Sequence, residues 1–203
     1  MLRASCMESL LLGTRNAGKI REITSILEEA GWAFASLKEF EGLDSPDETG
    51  HTYSENAITK ARFYAAATGL CALADDSGLE VDALGGAPGV LSARYAGLGA
   101  SDADRRKLLL AELSKIDDKE RRARFVAVVV IVRADGTVLN VSEGICSGRI
   151  TIEPRGTDGF GYDPLFIPDG YEQTFAELPP DVKNHISHRA RALIKTADFL
   201  RSV

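Results

Sequence analysis

The chain has 203 residues, of which 44% are hydrophobic and 27% are charged, with 24 Lys and Arg against 30 Asp and Glu. This composition is typical of a soluble globular protein and excludes the disordered, collagen-like and membrane-spanning classes. The net charge of -6 argues against binding to duplex DNA or other nucleic acid and to a membrane surface, because both require a broad basic surface. Any phosphate-binding site must therefore be built locally.

Cysteine usage and the N-terminus indicate a reducing compartment. Cys6, Cys71 and Cys146 are odd in number and widely spaced, so the sequence indicates neither a disulfide framework nor a structural zinc site. The apolar stretch near the N-terminus is too short for a signal sequence or a membrane span, and we therefore expect a cytoplasmic protein. Residues 1–9 are interpreted as a frayed extension, with a start codon placed too far upstream as the alternative. No linker or repeat divides residues 1–203, which predicts a single domain.

The first predicted elements are a strand, a loop and a helix. The apolar run at residues 10–12 predicts the strand, and residues 19–30 carry apolar side chains at helical spacing. Gly31 follows this pattern and is predicted to end the helix.

Residues 52–68 predict a second helix. Thr52 and Glu55 have the spacing of a capping box at its start, and a glycine follows its last residue. Asn56 and Lys60 lie one turn apart and therefore share a face of this helix.

Predicted strands and helices alternate along the rest of the chain. An apolar run predicts a buried strand at 70–74, and residues 102–116 predict an amphipathic helix. Two β-branched runs at 124–132 and 138–146 flank a turn and predict a hairpin. Ser187 is placed to cap a last helix that runs close to the C-terminus. This order predicts a mixed α/β fold.

Residues 13–19, GTRNAGK, match the first half of a phosphate-binding P-loop, G-x-x-x-x-G-K, between a strand and a helix. The match is incomplete because Ile20 stands where a P-loop has Ser or Thr, whose hydroxyl reaches Mg²⁺. Free backbone N–H groups at the helix start, together with the charges of Arg15 and Lys19, still predict an anion site. A polar loop that binds nothing is the alternative interpretation.

Acidic side chains occur at two further places. Asp47 and Glu48 precede the second helix, and Glu55 lies in its first turn, where capping alone would explain it. Asp75 and Asp76 are expected where a buried strand ends in a turn, which is the edge at which α/β sheets bind ligands. Strand alternation sends these two side chains to opposite sides. An Asx-turn explains one of them but not both.

Residues 158–164, DGFGYDP, place two aromatic residues among glycines. This pattern lets a ring remain exposed so that a nucleobase can stack on it. An aromatic side chain that anchors a tight turn is the alternative. Lys183, together with Ser187, His188 and Arg189 at the start of the last helix, supplies donors suited to base oxygens or phosphates.

Five sequence blocks together resemble one known family. In chain order they are GTRNAGK, ETGHTYSENAITKA, ADDSGLEVDALGGAPGVLSARYAG, GFGYDPLF and SHRARAL, and the resemblance that they mark extends over nearly the whole chain from Leu10 onward. Their order and spacing resemble the Ham1/RdgB-like inosine triphosphate pyrophosphatase family, also called XTP/dITP diphosphatases. The Thr/Ser-x-Asn-x-x-Lys loop of that family also accounts for Ile20.

The resemblance implies Mg²⁺-dependent hydrolysis of ITP, dITP and XTP to the nucleoside monophosphate and pyrophosphate. It also implies a homodimer whose chains have a long mixed central sheet with flanking helices in two lobes and an active-site cleft between them. By similarity, Glu48 and Asp76 bind the metal, with Asp47 or Glu55 as alternatives, and Asp76 activates the attacking water. The substrate-binding residues implied in the same way are Thr14, Arg15, Asn16, Ala17, Gly18, Lys19, Ser77, Phe160, Gly161, Tyr162, Asp163, Lys183, His188 and Arg189.

The sequence is also compared with what three other classes of protein would require. A Maf-like nucleotide pyrophosphatase has a different first loop and prefers other bases, and the SHR and FGYD blocks argue against it. A P-loop kinase or GTPase would need Ser or Thr at position 20. A catalytically silent nucleotide-binding module would bind a triphosphate without releasing pyrophosphate.

Overall fold

A six-stranded mixed β-sheet with flanking helices forms the framework of the computed structural model, which describes residues 9–203. The strands are β1 (Ser9–Leu12), β2 (Ala33–Ser36), β3 (Cys71–Val81), β4 (Arg122–Val132), β5 (Val138–Ile150) and β6 (Phe166–Pro168). Their order is β2-β1-β3-β4-β5-β6, with β1 parallel to both β2 and β3 and β6 antiparallel to β5. The predicted α/β class with a mixed central sheet is confirmed. The predicted N-terminal extension lies outside the described residues, except for Ser9, which begins β1.

Residues 9–203 contain five α-helices. They are α1 (Ala17–Leu27), α2 (Tyr53–Thr68), α3 (Asp102–Glu112), α4 (Pro180–Ile186) and α5 (His188–Ser202). Across this described range, no helix combines the length and the apolar character that crossing a membrane would require.

The start and the end of α2 are as predicted. The Thr52 hydroxyl accepts a hydrogen bond from the Glu55 N–H at 3.1 Å, and the Glu55 carboxylate accepts one from the Thr52 N–H at 3.2 Å. Gly69 ends the helix with a φ of 73°, in the left-handed region that glycine adopts without strain. The predicted capping box and the glycine stop are both confirmed.

The predicted hairpin is also confirmed, with longer strands than expected. β4 and β5 are neighbours in the sheet and are joined by a short turn, in which the Arg133 N–H donates to the Thr137 carbonyl and the Gly136 N–H to the Arg133 carbonyl, both at 2.9 Å. The strands β2 and β6 and the helix α4 were not predicted from the sequence. Both strands are short, with four and three residues, which leaves little periodic signal.

β3 corrects one prediction about the acidic pair. The strand was expected to end at residue 74 in a turn that carries Asp75 and Asp76, whereas it continues through both residues to Val81. Two nearly buried carboxylates can lie inside a strand here because each contacts a cation, Lys19 or Lys60. Both aspartates therefore belong to a regular β-strand and not to a loop.

The chain groups into two compact units. The first comprises the chain up to Asp76, Ala127–Gly144 and Arg189–Val203, and the second comprises Ser77–Val126 and Ile145–His188. Burying each large apolar side chain of their cores contributes about 1.5–3 kcal/mol. The core of the first unit includes Leu10, Leu12, Ile23, Leu27, Leu73, Val129, Leu193 and Leu200. The core of the second includes Leu79, Leu109, Phe125, Ile150, Phe166 and Phe175.

Candidate active site

The loop between β1 and α1 is held by hydrogen bonds around Asn16. The side-chain oxygen of Asn16 accepts from the N–H groups of Gly18 at 2.9 Å and Lys19 at 3.1 Å, so Asn16 caps α1. The Asn16 N–H donates to the Thr14 hydroxyl at 3.2 Å, and Ala17 is an exposed first residue of the helix. The expectation of free N–H groups at this helix start is therefore wrong for Gly18 and Lys19, because the cap already uses them.

The two cationic side chains of this loop have different partners. Arg15 donates to the backbone carbonyl of Leu43, whereas Lys19 Nζ lies 3.0 Å from Asp75 Oδ2. The expectation that both charges face a single anion is therefore wrong in this structure. Of these two cations, Lys19 is therefore the one that contacts a buried carboxylate, that of Asp75.

Four side chains of the first unit form the Lys60 cluster: Glu48, Asn56, Lys60 and Asp76. Lys60 Nζ lies 2.8 Å from Glu48 Oε1 and 3.4 Å from Asp76 Oδ1. Asp76 Oδ2 also accepts a hydrogen bond from Asn56 Nδ2 at 3.0 Å. A loop carboxylate and a strand carboxylate thus converge on one cation, which α2 supplies.

Asn56 ties the loop that carries Glu48 to the strand that carries Asp76. Its Oδ1 accepts from the Gly50 N–H at 2.8 Å, while its Nδ2 donates to Asp76. A Cβ at Gly50 would lie 2.7 Å from this Oδ1, so a larger residue would displace the amide. Asn56 is only 1% exposed, and its hydrogen bonds therefore come from the protein. One side chain sets the spacing between the two acidic residues.

Burial and charge act in opposite directions on the Lys60 cluster. Burial raises the pKa of Asp76, and the nearby Glu48 adds to this effect against the opposing charge of Lys60. Burial would lower the pKa of Lys60, but the carboxylates around it outweigh burial and raise that pKa. Lys60 is therefore an ammonium at neutral pH. Asp76 is a stronger base than an exposed aspartate, as proton abstraction from water requires.

A neighbouring group, the Asp75 cluster, contains Lys19, Glu22, Asp75 and Arg189. Asp75 Oδ2 lies 3.0 Å from Lys19 Nζ and 3.1 Å from Arg189 Nε. Arg189 Nη1 donates to Glu22 Oε2 at 2.5 Å. Charges of alternating sign therefore connect α1, β3 and α5. Because Asp75 and Asp76 have different partners, the predicted alternation of their side chains is confirmed.

The cations of the Asp75 cluster keep the Asp75 carboxyl ionised. Burial by itself would raise the pKa of Asp75, but the cations Lys19 and Arg189 hold that pKa well below its usual range. Burial lowers the pKa of Lys19, and Asp75 offsets only part of that effect. Asp75 is thus a permanent anion that keeps two nearly buried cations in place.

The two alternative acidic residues have other surroundings. Glu55 Oε2 accepts from the His51 N–H at 2.7 Å and from the Thr52 N–H at 3.2 Å, so its carboxylate is used in capping α2. Asp47 is exposed, and Glu48 is the member of that pair that contacts Lys60. The geometry favours Glu48 over both alternatives.

Glu48 and Asp76 are the two carboxylates of the Lys60 cluster that could hold a metal ion. In the part of the chain that the structure describes, no three or more His, Cys, Asp or Glu side chains group closely enough to bind a metal by themselves. Magnesium in nucleotide-binding enzymes usually needs only one or two carboxylates, because waters and substrate phosphates complete its shell. Two carboxylates that already face a cation fit that requirement.

In the second unit, residues 159–163 form a tight turn, which we call the Phe160 turn. Asp163 Oδ2 accepts hydrogen bonds from the Phe160 N–H at 2.8 Å and from Lys183 Nζ at 2.6 Å. A Cβ at Gly159 would lie 2.2 Å from this oxygen, so only glycine fits there. Lys183 Nζ lies 4.9 Å from the centre of the partly exposed Phe160 ring, within cation–π distance. The turn presents one aromatic ring beside a buried cation.

Tyr162 belongs to the core and not to an exposed ring pair. It is 4% exposed, and its hydroxyl donates to the Ser92 carbonyl at 3.0 Å. Its ring belongs to the same core cluster as Leu165 and Phe166, so Phe160 and not Tyr162 is the aromatic residue of this turn with a partly exposed ring. The assignment of Tyr162 to substrate binding stays a prediction. Burial also raises the pKa of Tyr162, so its hydroxyl stays protonated as a donor.

The other residues predicted to bind substrate are distributed over the two units: Ser77 and His188 belong to the second and Arg189 to the first. His188 is buried and its ring stacks on Phe125, with centroids 4.6 Å apart and planes 11° apart. Ser77 follows Asp76 on β3 and is partly buried. Arg189 lies in the Asp75 cluster, and its assignment to base recognition stays a prediction.

Three residues of these clusters, Glu22, Asn56 and Lys60, have no role that the sequence alone predicts. Asn56 and Lys60 were seen to share a helix face, and that spacing is the signal that could have identified them. Glu22 lies one turn after Lys19 on α1, yet an acid on a helix is usually solvated, so the sequence alone gave no reason to single it out.

Comparison with known proteins identifies one family over nearly the whole chain. The model of the Ham1 family matches residues 10–199. A protein from Desulforamulus reducens, named dITP/XTP pyrophosphatase, is 47% identical over 94% of this chain and 94% of its own length. One of the same name from Escherichia coli O157:H7 is 48% identical over 97% of this chain and 100% of its own. The solved structure of a HAM1 protein from Coxiella burnetii, 42% identical, superposes with a TM-score of 0.88 over 97% of this chain and 100% of that one. This chain therefore belongs to the Ham1 family.

Proposed function

We propose that this chain hydrolyses the non-standard purine nucleoside triphosphates ITP, dITP and XTP to the nucleoside monophosphate and pyrophosphate. The observation that carries the proposal is the Lys60 cluster, in which the carboxylates of Glu48 and Asp76 converge on one cation. Full-length relatives named dITP/XTP pyrophosphatase, at 47–48% identity, support the substrate class.

Glu48 and Asp76 are proposed to hold Mg²⁺ together with the substrate phosphates. When bound, this ion supplies positive charge to the phosphate oxygens and lowers the pKa of water. The chain contributes the arrangement of the ligands, because Asn56 fixes both the Glu48 loop and Asp76. Lys60 keeps a permanent positive charge beside them.

The residues of the first unit are proposed to carry the chemical step. Asp76 accepts the proton of a water whose oxygen bonds to the α-phosphorus, and the bond from that phosphorus to the bridging oxygen breaks, which releases pyrophosphate. Lys19 neutralises charge on the phosphates, in a loop whose shape the Asn16 cap maintains. Positioning and charge stabilisation of this kind account for most of the rate in phosphoryl chemistry.

The second unit is proposed to recognise the base. The Phe160 ring offers a stacking surface, and Lys183 and His188 are candidate donors to the oxygen at C6 of hypoxanthine and xanthine. Adenine has an amino group there, so each buried donor left unpaired costs about 1–3 kcal/mol, or roughly tenfold to a hundredfold against ATP. GTP shares the C6 oxygen, and its rejection must come from the surroundings of its 2-amino group.

We propose a homodimer that acts on the nucleotide pool of the cytoplasm. Light scattering on the purified protein is expected to give twice the chain mass of 21.8 kDa. A monomer at micromolar concentration would refute the dimer and leave the proposed reaction intact.

The reaction is tested by product analysis with ITP, XTP, dITP, GTP and ATP in Mg²⁺ and ¹⁸O-labelled water. We expect monophosphate and pyrophosphate, with the label in the monophosphate because water bonds to the α-phosphorus. A nucleoside diphosphate as first product, or label in pyrophosphate, refutes the mechanism. Equal turnover of ATP and ITP refutes the substrate class, and binding of ITP without any product would identify a silent nucleotide-binding module.

Two variants, one at the proposed general base and one at a nearby control position, test the role of Asp76 in this assay. Asp76→Asn is expected to lose turnover by about a hundredfold or more, the usual contribution of a general base. Asp47→Asn removes a nearby exposed carboxylate and is expected to retain the activity of the parent protein.

A further inference from the structure

The N-terminal part of α3 forms two hydrogen bonds with the backbone of Gly161, in the Phe160 turn. Asp102 Oδ2 accepts a hydrogen bond from the Gly161 N–H at 2.8 Å, and Arg106 Nη1 donates to the Gly161 carbonyl at 2.7 Å. Asp102 and Arg106 are four residues apart and so share one face of α3. Both polar groups of Gly161 are thus held by charged side chains of one helix.

Gly161 is the corner of the Phe160 turn. The Asp163 N–H donates to the Phe160 carbonyl at 3.1 Å, which closes a four-residue turn. Gly161 has a φ of 61°, and Tyr162 follows with φ -95° and ψ 5°, the pattern of a type II′ turn, which favours glycine at this position. The direction of the Phe160 ring therefore depends on where this corner is held.

Neighbouring contacts orient the Asp102 carboxylate toward Gly161. Arg105 forms an ion pair with Asp102 through Oδ1 and also donates to the Ala100 carbonyl at 2.6 Å. Oδ2 is left to accept from Gly161 at 2.8 Å. The charged side chains on this face of α3 therefore bind the Phe160 turn, in addition to forming the start of the helix.

We infer that Asp102 and Arg106 are positioning residues that hold the Phe160 ring where the purine base stacks. This rests on the proposed function. They touch the backbone of the turn and not the reacting phosphates, so their loss is expected to weaken base binding and leave the chemical step intact. Phe160 itself is anchored on the other side by Asp163.

The kinetic test compares Asp102→Ala and Arg106→Ala with Lys107→Ala, which removes an exposed cation from the next position of the same helix. We expect KM for ITP to rise about tenfold in the first two variants, as for loss of a hydrogen bond to a charged group, with kcat within about threefold. Inhibition by the product pyrophosphate, which lacks a base, should be unchanged. Asp102→Asn keeps an acceptor oxygen and should restore much of the lost affinity.

A second measurement on the free protein does not depend on activity. Hydrogen exchange of the Gly161 amide, followed by NMR, should be faster in Asp102→Ala than in the parent and in Lys107→Ala, because the amide loses its acceptor. An unchanged exchange rate, an unchanged KM, or a parallel loss of pyrophosphate binding would overturn the inference. If the parent protein does not convert ITP to IMP and pyrophosphate, the proposed function fails, whereas the exchange experiment still tests whether α3 holds the turn.

Discussion

Replacing Asp75 and Asp76 by asparagine, one at a time, should separate a stabilising carboxylate from a catalytic one. Asp75 is 2% exposed, and its Oδ2 lies within 3.1 Å of the cations Lys19 and Arg189. Removing one partner of a buried ion pair costs about 3–5 kcal/mol, because the remaining charge stays buried. In a protein of this size 1 kcal/mol shifts Tm by about 2–4 °C. Asp75→Asn should therefore lower Tm by about 6–20 °C.

Asp76→Asn should have the opposite profile. The new amide keeps an oxygen that can accept from Asn56, and the ion pair it loses, to Lys60, is long at 3.4 Å. Burial already disfavours the carboxylate, which is why the pKa of Asp76 is raised, so removing its charge also removes a cost. We expect a change in Tm of less than about 3 °C, together with the loss of ITP turnover.

The loss of stability expected in Asp75→Asn should depend on pH in a defined direction. The pKa of Asp75 in the folded protein lies well below the value of about 3.9 for an unfolded chain, so its stabilisation is complete above that value and is lost as the pH falls further. The Tm difference between Asp75→Asn and the parent should be largest near pH 7 and shrink below about pH 4. Thermal unfolding followed by circular dichroism measures it. Equal Tm values at pH 7, or a larger loss in Asp76→Asn, would refute the reasoning.

Three further outcomes are expected. Glu48→Gln should raise the Mg²⁺ concentration for half-maximal activity by about tenfold or more, and Asp47→Asn should leave it unchanged; the reverse result would assign the metal to Asp47. Tyr162→Phe loses the hydrogen bond to Ser92, worth about 1 kcal/mol, and should lower Tm by about 2–4 °C. A change in the ratio of ITP to ATP turnover in this variant would instead indicate that Tyr162 contributes to base recognition. Thr52→Ala should lower Tm by a similar amount through the lost cap, with KM for ITP unaltered, and an undiminished Tm in the melting curve would contradict the capping box.

Local signals predicted the helices of the fold better than the extent of its strands. The capping box of Thr52 and Glu55 and the glycine at position 69 act within a few residues, so the sequence predicts α2 closely. The end of β3 was misplaced because two aspartates in a row read as a turn. Their continuation in a strand depends on Lys19 and Lys60, which are remote in sequence.

The sequence identifies candidate site residues by their type, but it does not show the surroundings of each residue. Phe160 and Tyr162 look alike in the sequence, each an aromatic next to a glycine. What separates them is a hydrogen bond from Tyr162 to the carbonyl of Ser92, 70 residues away, which no local pattern reports. Asn56 gave a weak signal for the same reason, because its partners, Gly50 and Asp76, lie outside its helix.

The Asn56 carboxamide has a consequence for the chemical ageing of the protein. Its oxygen faces an N–H donor and its nitrogen faces a carboxylate 3.0 Å away, so the two ends of the group are not interchangeable. Spontaneous hydrolysis of this amide to an acid would exchange one nitrogen for one oxygen and leave the shape of the side chain almost unaltered. The contact with Asp76 would then become a repulsion between two anions. A molecule damaged in this way would keep its fold and its packing while the spacing between its two acidic residues was lost.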